Sequence, residues 1–290
     1  MNASATQKVM LITGGGRGIG AATATLAASQ GYAVVINYQS QQGPAQRVAD
    51  AINAAGGHAV CVQADVSNEA GVMALFAAVD AQFGRIDVLV NNAGVVDKTA
   101  RVQDMTEARL LRMFTTNTIS AFLCCREAVK RMSTALGKGG GAIINVSSAA
   151  SRLGSANQYV DYAASKGAMD VLTHGLAQEV AAQGIRVNAV RPGLIDTEIH
   201  ASGGLPNRVK DLEHLEQQAC ADHQSRARVT AWFSGYGGIS PADLVREAGW
   251  TLEEAEGWTV QGLADGSLVE ISLGGTRKRL LETARVEELE

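Results

Sequence analysis

Short apolar runs of four to seven residues alternate with longer stretches from near the start of the chain to residue 190. The apolar runs predict buried strands, and the intervening stretches, such as the alanine-rich residues 19–29, predict helices. Strands separated by helices form a parallel sheet that helices cover on both faces. The pattern therefore predicts an α/β fold with strands at residues 8–12, 33–37, 58–64, 87–90, 142–146 and 185–190.

A glycine-rich turn, TGGGRGIG at residues 13–20, joins the first predicted strand to the first helix. A strand, a glycine turn and a helix make half of a dinucleotide-binding unit. Glycine lets the backbone approach a pyrophosphate, and the helix N-terminus supplies amide donors. Because Gly14, Gly18 and Gly20 are spaced GxxxGxG and not GxGxxG, an ordinary strand-to-helix turn remains an alternative for these residues alone.

The end of the second predicted strand bears on the choice between NAD(H) and NADP(H). An acidic residue there accepts a hydrogen bond from the ribose 2′-hydroxyl, whereas a basic or neutral residue admits a 2′-phosphate. Residues 37–40 are Asn-Tyr-Gln-Ser and contain no carboxylate, and Arg17 in the glycine loop could reach the phosphate. We predict NADP(H) over NAD(H), with a solvated loop arginine as the alternative role for Arg17.

Tyr162 and Lys166 lie four residues apart in YAASK, downstream of the serine pair Ser147-Ser148 in NVSS. Residues four apart share one face of a helix. A neighbouring ammonium favours the phenolate, so we expect the pKa of Tyr162 to lie below its ordinary value near ~10. A phenol tuned in this way exchanges a proton with a substrate oxygen. Two helix residues with no joint role are the alternative for this short pattern.

Five motifs occur in one order: TGGGRGIG, then NNAG at residues 91–94, NVSS at 145–148, YAASK at 162–166 and RPG at 191–193. With them the chain resembles the short-chain dehydrogenase/reductase family over about residues 6–204, and most of all the branch of 3-oxoacyl-carrier-protein reductases and glucose-dehydrogenase-like enzymes. The resemblance implies a Rossmann-type doubly wound parallel sheet. It also implies an oxidoreductase that transfers a hydride between NADP(H) and a carbonyl or secondary alcohol.

The resemblance also implies roles for individual residues. Tyr162 would be the general acid/base, and Lys166 would bind the nicotinamide ribose and lower the tyrosine pKa. Ser148, with Ser147 as the weaker candidate, would bind the substrate carbonyl, and Asn117 would hold a proton-relay water on a kinked helix. Tyr162 and Lys166 are also cofactor contacts, and the other implied cofactor contacts are Gly14, Arg17, Gly18, Ile19, Gly20, Asn37, Ser40, Asp65, Val66, Asn91, Ala93, Gly94, Pro192, Gly193, Ile195 and Thr197.

Two of these residues have a plainer alternative. Asn117 is a candidate helix cap, and Asp65 is a candidate loop N-cap, because short polar side chains of both types commonly close helix ends. The resemblance assigns Asp65 and Val66 to the adenine, residues 91–94 to the adenosine side, and residues 192–197 to the nicotinamide end.

Length and composition limit the domain organisation and the classes of function that are open to the chain. The 290 residues suffice for one large domain, alone or with a small one, and the 46% hydrophobic content is normal for a globular core. A net charge of −4 provides no general polycation for nucleic acid. Four cysteines without a CxxC pair predict core packing and no metal site. No signal peptide or long apolar run is visible, so we expect a cytoplasmic protein without membrane spans.

The family pattern stops after residue 204, and only LVEISLGG at 268–275 loosely resembles the family's last strand. We predict two domains: a reductase domain at 1–220 and a small, atypical α+β module at 221–290. The module resembles a winged helix-turn-helix. Its predicted elements are helices at 227–234, 241–248 (capped by Ser240) and 252–264, and a hairpin of strands at 268–271 and 277–281.

The charge of this tail argues against nucleic-acid binding. Residues 221–290 hold 7 basic and 12 acidic side chains, whereas binding to phosphates needs basic contacts. A packing or protein-interaction module, and a segment acquired by gene fusion or a frameshift, remain alternatives. For the whole chain, a nucleotide-sensing regulatory or scaffold protein is the alternative to an enzyme. The expected partners are a small carbonyl or alcohol substrate and further copies of the chain, as a dimer or a tetramer.

Overall fold

The computed structural model describes residues 7–209 and, beyond them, four strands within residues 259–289. The chain divides into two units, Met1–Val209 and Lys210–Glu290.

Six strands of the first unit form one parallel sheet in the order β3-β2-β1-β4-β5-β6. The strand order reverses beside β1, and in doubly wound sheets ligands bind at the carboxyl ends of the strands around such a point. The prediction of a doubly wound parallel α/β sheet is thereby confirmed. The strands are β1 (Val9–Ile12), β2 (Ala33–Tyr38), β3 (His58–Gln63), β4 (Val88–Asn91), β5 (Gly141–Val146) and β6 (Ile185–Val190).

Helices cover both faces of this sheet. Alternate residues of a strand point to opposite faces, so Ala33 and Val35 enter one hydrophobic cluster while Val34 and Ile36 enter the other. The first cluster lies under α3, α5 and α7, and the second lies under α1 and α2. The helices are α1 (Gly18–Ser29), α2 (Gln42–Ala54), α3 (Glu69–Phe83), α4 (Glu107–Phe114), α5 (Ser120–Met132), α6 (Ala150–Leu153), α7 (Val160–Val180) and α8 (Ile199–Ser202).

Local chemistry explains several helix ends. Asn68 accepts a hydrogen bond from the Gly71 amide at the start of α3 (2.9 Å), and Thr106 accepts one from the Arg109 amide at the start of α4 (3.3 Å). Helix α4 passes into α5 through one π-helical segment, Thr115–Ile119. Such segments interrupt the regular hydrogen-bond ladder and are frequent at functional sites.

The described strands of the second unit form an antiparallel sheet in the order β10-β9-β8-β7: β7 (Thr259–Gly262), β8 (Leu268–Leu273), β9 (Thr276–Leu281) and β10 (Val286–Leu289). The predicted hairpin is confirmed, because Leu273 pairs with Thr276. The helix predicted over 252–264 is wrong at β7, where the β-branched Thr259 and Val260 pair with β8. The helices predicted at 227–234 and 241–248 lie outside the described residues.

Strand β9 carries the basic triplet at 277–279 that the sequence analysis placed in a hairpin. The register sets Arg279 opposite Glu270 of β8 and Glu287 of β10, and it sets Lys278 opposite Glu288. The register therefore pairs two of the three basic positions with acidic positions on neighbouring strands.

Candidate active site

The glycine loop after β1 has one tightly determined shape. Gly14 and Gly18 have φ angles of 61° and 49°, which side chains disfavour. The Asn92 amide donates to the carbonyl oxygens of Thr13 (3.0 Å) and Gly14 (2.9 Å). A Cβ on Gly20 would lie 2.5 Å from the Asn92 amide nitrogen and 2.7 Å from the Gly14 carbonyl oxygen. No side chain fits at residue 20, and the N-terminus of α1 therefore packs directly against the loop, as pyrophosphate binding requires.

The loop after β4 is tied to this glycine loop by two residues that the sequence analysis did not select. The Thr13 hydroxyl accepts hydrogen bonds from the backbone amides of Asn92 and Ala93, each at 3.0 Å. Asn92 makes the two carbonyl contacts described above. β1 and β4 are neighbours in the sheet, so the loops that follow them lie side by side. The amide-rich NNAG sequence was therefore the sequence feature that could have predicted this contact.

At the predicted ribose end, Asn37 is buried and its amide is already engaged. Its Nδ2 donates to the Ala64 carbonyl oxygen (3.0 Å), and its Oδ1 accepts from the Gly14 amide (3.4 Å). Asn37 therefore joins β2 to β3 and to the glycine loop. Arg17 and Ser40 have exposed side chains on either side of it in the chain and remain open to a ligand.

Asp65 and Val66 follow β3. The Asp65 carboxylate accepts a hydrogen bond from the Ser67 amide (2.9 Å). Burial alone would raise the pKa of Asp65, but hydrogen bonds from Ser67, Gln39 and Asn68 lower it below the ordinary value. Asn68 is the N-cap of α3, and Asp65 caps the Ser67 amide within the loop before that helix, as its alternative role as a loop N-cap predicted. Val66 is buried in the first hydrophobic cluster.

Asn91 lies in the core beneath the site. Its amide donates to the Asn145 side-chain oxygen (2.9 Å) and to the Cys125 sulfur (3.2 Å), and Asn145 donates to Thr173 (2.8 Å). These contacts join β4 to β5, α5 and α7. The structure therefore gives the Asn91 side chain internal partners, whereas the resemblance had placed it along the adenosine.

Lys166, on α7, brings several predicted residues together. Its ammonium is buried, donates to the Val146 carbonyl oxygen (2.7 Å) and lies 5.8 Å from the centre of the Tyr162 ring. A Cβ on Gly94 would lie 3.5 Å from this ammonium and 3.4 Å from the Asn117 side-chain oxygen. Tyr162, Lys166, Asn117 and Gly94 thus converge at the carboxyl ends of β4 and β5.

The two candidate serines have different partners. Ser148 lies beside the Tyr162 phenol, whose pKa it lowers, and its hydroxyl accepts a hydrogen bond from the Ala150 amide (3.1 Å). Ser147 is buried and donates to the Lys166 backbone carbonyl (3.2 Å). The geometry therefore places Ser148 beside the phenol, in agreement with its selection over Ser147.

The expected direction of the tyrosine pKa is wrong for this structure. Burial raises the pKa of Tyr162 above its ordinary value, and the hydrogen bond from Ser148 offsets this only in part. Burial likewise lowers the pKa of Lys166 to about 8, against the opposing charge of Asp170. Removing either group from water penalises its charged form, and that penalty outweighs the effect of Ser148 on Tyr162 and the effect of the Asp170 charge on Lys166.

Asn117 lies in the π-helical segment between α4 and α5, where the regular helical hydrogen-bond ladder is interrupted. Its side chain accepts from the Val95 amide (2.7 Å) and donates to the Val95 carbonyl oxygen (2.9 Å) and to the Ser165 hydroxyl (3.1 Å). It caps no helix. It holds the loop after Gly94 against α7, and its proton-relay role stays a prediction.

The segment after β6 lies between the glycine loop and the serine loop, which we define as residues 147–151 after β5. The Ala149 amide donates to the Pro192 carbonyl oxygen (3.0 Å). A Cβ on Gly18 would lie 3.1 Å from a methyl carbon of Thr197. Between these contacts, Gly193 and Ile195 are exposed, as residues that line a ligand would be before it binds.

Two ion pairs of α7 were missed from the sequence. Asp161, directly before Tyr162, is fully buried and receives two hydrogen bonds from Arg109 of α4 (2.7 and 3.1 Å). Asp170, four residues after Lys166, pairs with Arg191 (2.9 Å). In each pair the two partners lie far apart in sequence. The only sequence feature that pointed to these ion pairs was the position of the two aspartates beside YAASK.

The cysteine prediction is confirmed for Cys124 and Cys125, which are buried in the core. Burial raises the pKa of both thiols, that of Cys125 to about 12, so they are unreactive at neutral pH. Cys220 lies outside the described residues. Among residues that the structure describes, no cluster of metal-binding side chains occurs, and no helix is both long and apolar enough to cross a membrane.

Comparison with known proteins agrees with this geometry. The family described as short chain dehydrogenase matches residues 8–205. The uncharacterized oxidoreductase YgfF of Escherichia coli K12 is 52% identical over 77% of this chain and 91% of its own length. The cis-4-hydroxycyclohexanecarboxylate dehydrogenase of Sinomonas cyclohexanicum is 41% identical over 72% of this chain and 81% of its own.

Solved structures agree as well. A short chain dehydrogenase from Burkholderia cenocepacia J2315, solved in complex with NADP, has a TM-score of 0.64 and is 33% identical, covering 70% of this chain and 81% of its own. These relatives are oxidoreductases, and the comparisons give no support to the alternative of a regulatory or scaffold protein. The chain belongs to the short-chain dehydrogenase family of oxidoreductases that act on alcohol and carbonyl groups.

Proposed function

We propose that the chain is an NADP(H)-dependent carbonyl reductase or secondary-alcohol dehydrogenase, with Tyr162, Lys166, Ser148 and Asn117 as its catalytic residues. The observation that carries the proposal is the half-buried Tyr162 phenol, whose pKa Ser148 lowers, with the buried Lys166 ammonium 5.8 Å from the ring centre. Oxidation of NADPH by a panel of ketones and aldehydes tests it. Absence of turnover across acyclic, alicyclic and aromatic carbonyls would contradict the assignment.

Each residue of the site has a separate role in the proposed reaction. The nicotinamide, when bound, supplies or accepts the hydride. Ser148 donates a hydrogen bond to the substrate oxygen, and Tyr162 delivers a proton to that oxygen as negative charge develops on it. Lys166 stabilises the phenolate that remains. Because burial raises the pKa of Tyr162, the phenol is protonated at neutral pH and ready to donate in the reducing direction.

The glycine loop and its surroundings fit the dinucleotide. The lack of a side chain at Gly20 and the positive φ angles of Gly14 and Gly18 let the loop pack closely against the N-terminus of α1, where a pyrophosphate would bind. Asp65 and Val66 would contact the adenine, and Lys166 the nicotinamide ribose. The other backbone and side-chain contacts that we propose are Ile19, Ala93, Gly94, Pro192, Gly193, Ile195 and Thr197.

Arg17→Ala is expected to weaken NADPH binding at least tenfold and to change NADH binding less than twofold. Only NADPH carries the 2′-phosphate, and an arginine–phosphate hydrogen bond is charge-assisted. The support is the exposed Arg17 and the absence of a carboxylate from residues 37–40. Calorimetric titration of both nucleotides measures the effect, with Arg186→Ala on β6 as the exposed-arginine control. Equal losses for the two nucleotides, or tighter binding of NAD(H) by the unaltered chain, would refute NADP(H) preference.

The rate of carbonyl reduction is expected to be flat below about pH 7 and to fall as pH rises through about 8. Tyr162 keeps its proton throughout this range because its pKa is raised, whereas Lys166 loses its charge and stops stabilising the phenolate. Steady-state kcat against pH measures the fall. Lys166→Arg keeps a positive charge to high pH, so its residual rate is expected to stay level at pH 8. A wild-type rate that rises through pH 8 would contradict this assignment.

We further propose that the enzyme is a homo-oligomer that associates through α4, α5 and α7. These helices expose large apolar side chains to solvent, and such patches mark protein interfaces. Val171 of α7 is 74% exposed, Leu111 of α4 is 60% exposed, and Phe122 of α5 is 50% exposed. Sedimentation velocity of the full chain distinguishes monomer, dimer and tetramer.

We also keep two finer assignments as proposals: membership of the 3-oxoacyl-carrier-protein reductase and glucose-dehydrogenase-like branch, and a separate module at residues 221–290. The antiparallel pairing of β7 to β10 supports a distinct module, although its β7 differs from the predicted winged helix-turn-helix. Limited proteolysis between residues 204 and 240, followed by mass analysis, tests the separation.

A further inference from the structure

We propose that Asp170 is a positioning residue that joins three parts of the site and sets the charge of Lys166. The inference deepens the proposed function and rests on it. Asp170 itself touches neither substrate nor cofactor in this proposal. It acts through its neighbours.

The Asp170 carboxylate makes contacts to two segments outside α7. Its Oδ2 accepts hydrogen bonds from the Ser151 hydroxyl (2.7 Å) and from the Arg191 guanidinium (2.9 Å). Ser151 lies three residues after Ser148, and Arg191 directly precedes Pro192. One carboxylate therefore joins the helix that carries Tyr162 and Lys166 to the serine loop and to the segment proposed to hold the nicotinamide.

The other carboxylate oxygen, Oδ1, is buried and has no hydrogen-bond partner within residues 7–209. A buried acceptor without a partner is costly, and burial also strengthens its field on nearby charges. Asp170 lies four residues after Lys166, so both are on one face of α7. Its charge opposes the burial that lowers the pKa of Lys166.

Asp170 and its partner Arg191 dominate the charged surroundings of Lys166 in the described part of the chain. On α7 the preceding turn presents Tyr162, which is protonated at neutral pH. The Met169 sulfur, also on α7, is uncharged. The groups that the other elements place against the ammonium or its helix turn are uncharged as well: the Val146 carbonyl oxygen, Ser147 and Asn117.

Two substitutions are expected to move the Lys166 titration in opposite directions. Asp170→Asn keeps the shape of the side chain but removes the negative charge, so Lys166 loses its proton at a lower pH. Arg191→Met removes the competing positive charge and leaves the Asp170 carboxylate free to act on Lys166, which then keeps its proton to a higher pH. A role that is only structural would not give shifts of opposite sign.

The experiment is an NMR titration of the full chain, labelled with 13C at the lysine ε carbon and free of nucleotide. Lys166→Met identifies the signal. We expect a wild-type midpoint at about pH 8, a midpoint lower by about 0.5 or more in Asp170→Asn, and a higher midpoint in Arg191→Met. Ser151→Ala removes a neutral partner and is expected to keep the wild-type midpoint, so it is the matched control.

Unchanged midpoints, or shifts of one sign in both charge variants, would overturn the proposal. If Asp170→Asn does not fold, as judged by circular dichroism, comparison of the Lys166 midpoints of Arg191→Met and Ser151→Ala still tests the proposal. In a kinetic arm, the pH at which NADPH turnover falls is expected to move with each midpoint. The NMR titration does not depend on turnover. If the proposed reaction fails, the Lys166 midpoints can therefore still be interpreted.

Discussion

Tyr162→Phe is expected to reduce kcat for carbonyl reduction at least about 100-fold while leaving NADPH affinity within twofold of the wild type. A positioned general acid contributes about 10²–10⁴ to the rate, and phenylalanine fills the same space without the proton. Ser148 would remain beside the substrate oxygen, so binding is retained and proton transfer is lost. Steady-state kinetics gives kcat, and fluorescence or calorimetric titration gives the affinity for NADPH.

Tyr159→Phe is the matched control for this substitution. Tyr159 lies three residues earlier and is buried, but its hydroxyl makes only a 3.4 Å hydrogen bond to the Gly203 carbonyl oxygen. Loss of one such bond costs about 1 kcal/mol or less, and kcat is expected to stay near the wild-type value. If Tyr162→Phe keeps more than a tenth of wild-type kcat, a change of less than about 1.4 kcal/mol in barrier, the general-acid role is wrong.

Local patterns were sufficient for most of the fold and for the main members of the site. The apolar runs located the six strands of the parallel sheet, because strands buried on both faces contain little else. The YAASK spacing placed Tyr162 and Lys166 on one turn of α7, since helix geometry fixes that relation. Ser148 was chosen through the family resemblance, and in the structure it lies beside the Tyr162 phenol and lowers its pKa.

Properties that depend on the surroundings of a residue were beyond local reasoning. The pKa of Tyr162 depends on the balance between burial, which raises it, and Ser148, which lowers it, and no spacing rule gives the extent of burial. Asn92 contacts the glycine loop 78 residues earlier, and Arg109 reaches Asp161 across 52 residues. In the tail, β7 forms where a helix was predicted because pairing with β8 outweighs local helix preference.

Arg109→Ala is expected to lower the free energy of unfolding of the first unit by about 3–5 kcal/mol, because it leaves a buried carboxylate without its cation. The Asp161 side chain is 0% exposed and Arg109 is 11% exposed. Arg109 also donates to the Lys98 carbonyl oxygen (2.6 Å), so the substitution removes a backbone contact as well. Urea unfolding followed by far-ultraviolet circular dichroism measures the loss.

Arg112→Ala, on the same helix, is the control that separates the loss of a buried ion pair from the loss of a positive charge alone. Arg112 pairs with Asp97 at the surface, where it is 49% exposed, and such a pair contributes about 1 kcal/mol or less. The double variant Arg109→Met with Asp161→Leu removes both buried charges together and is expected to be more stable than Arg109→Ala, since no unpaired charge remains. Equal destabilisation by Arg109→Ala and Arg112→Ala would show that the buried pair has no special weight. Because Asp161 directly precedes Tyr162, we expect Arg109→Ala also to lower kcat, whereas Arg112→Ala leaves kcat unchanged.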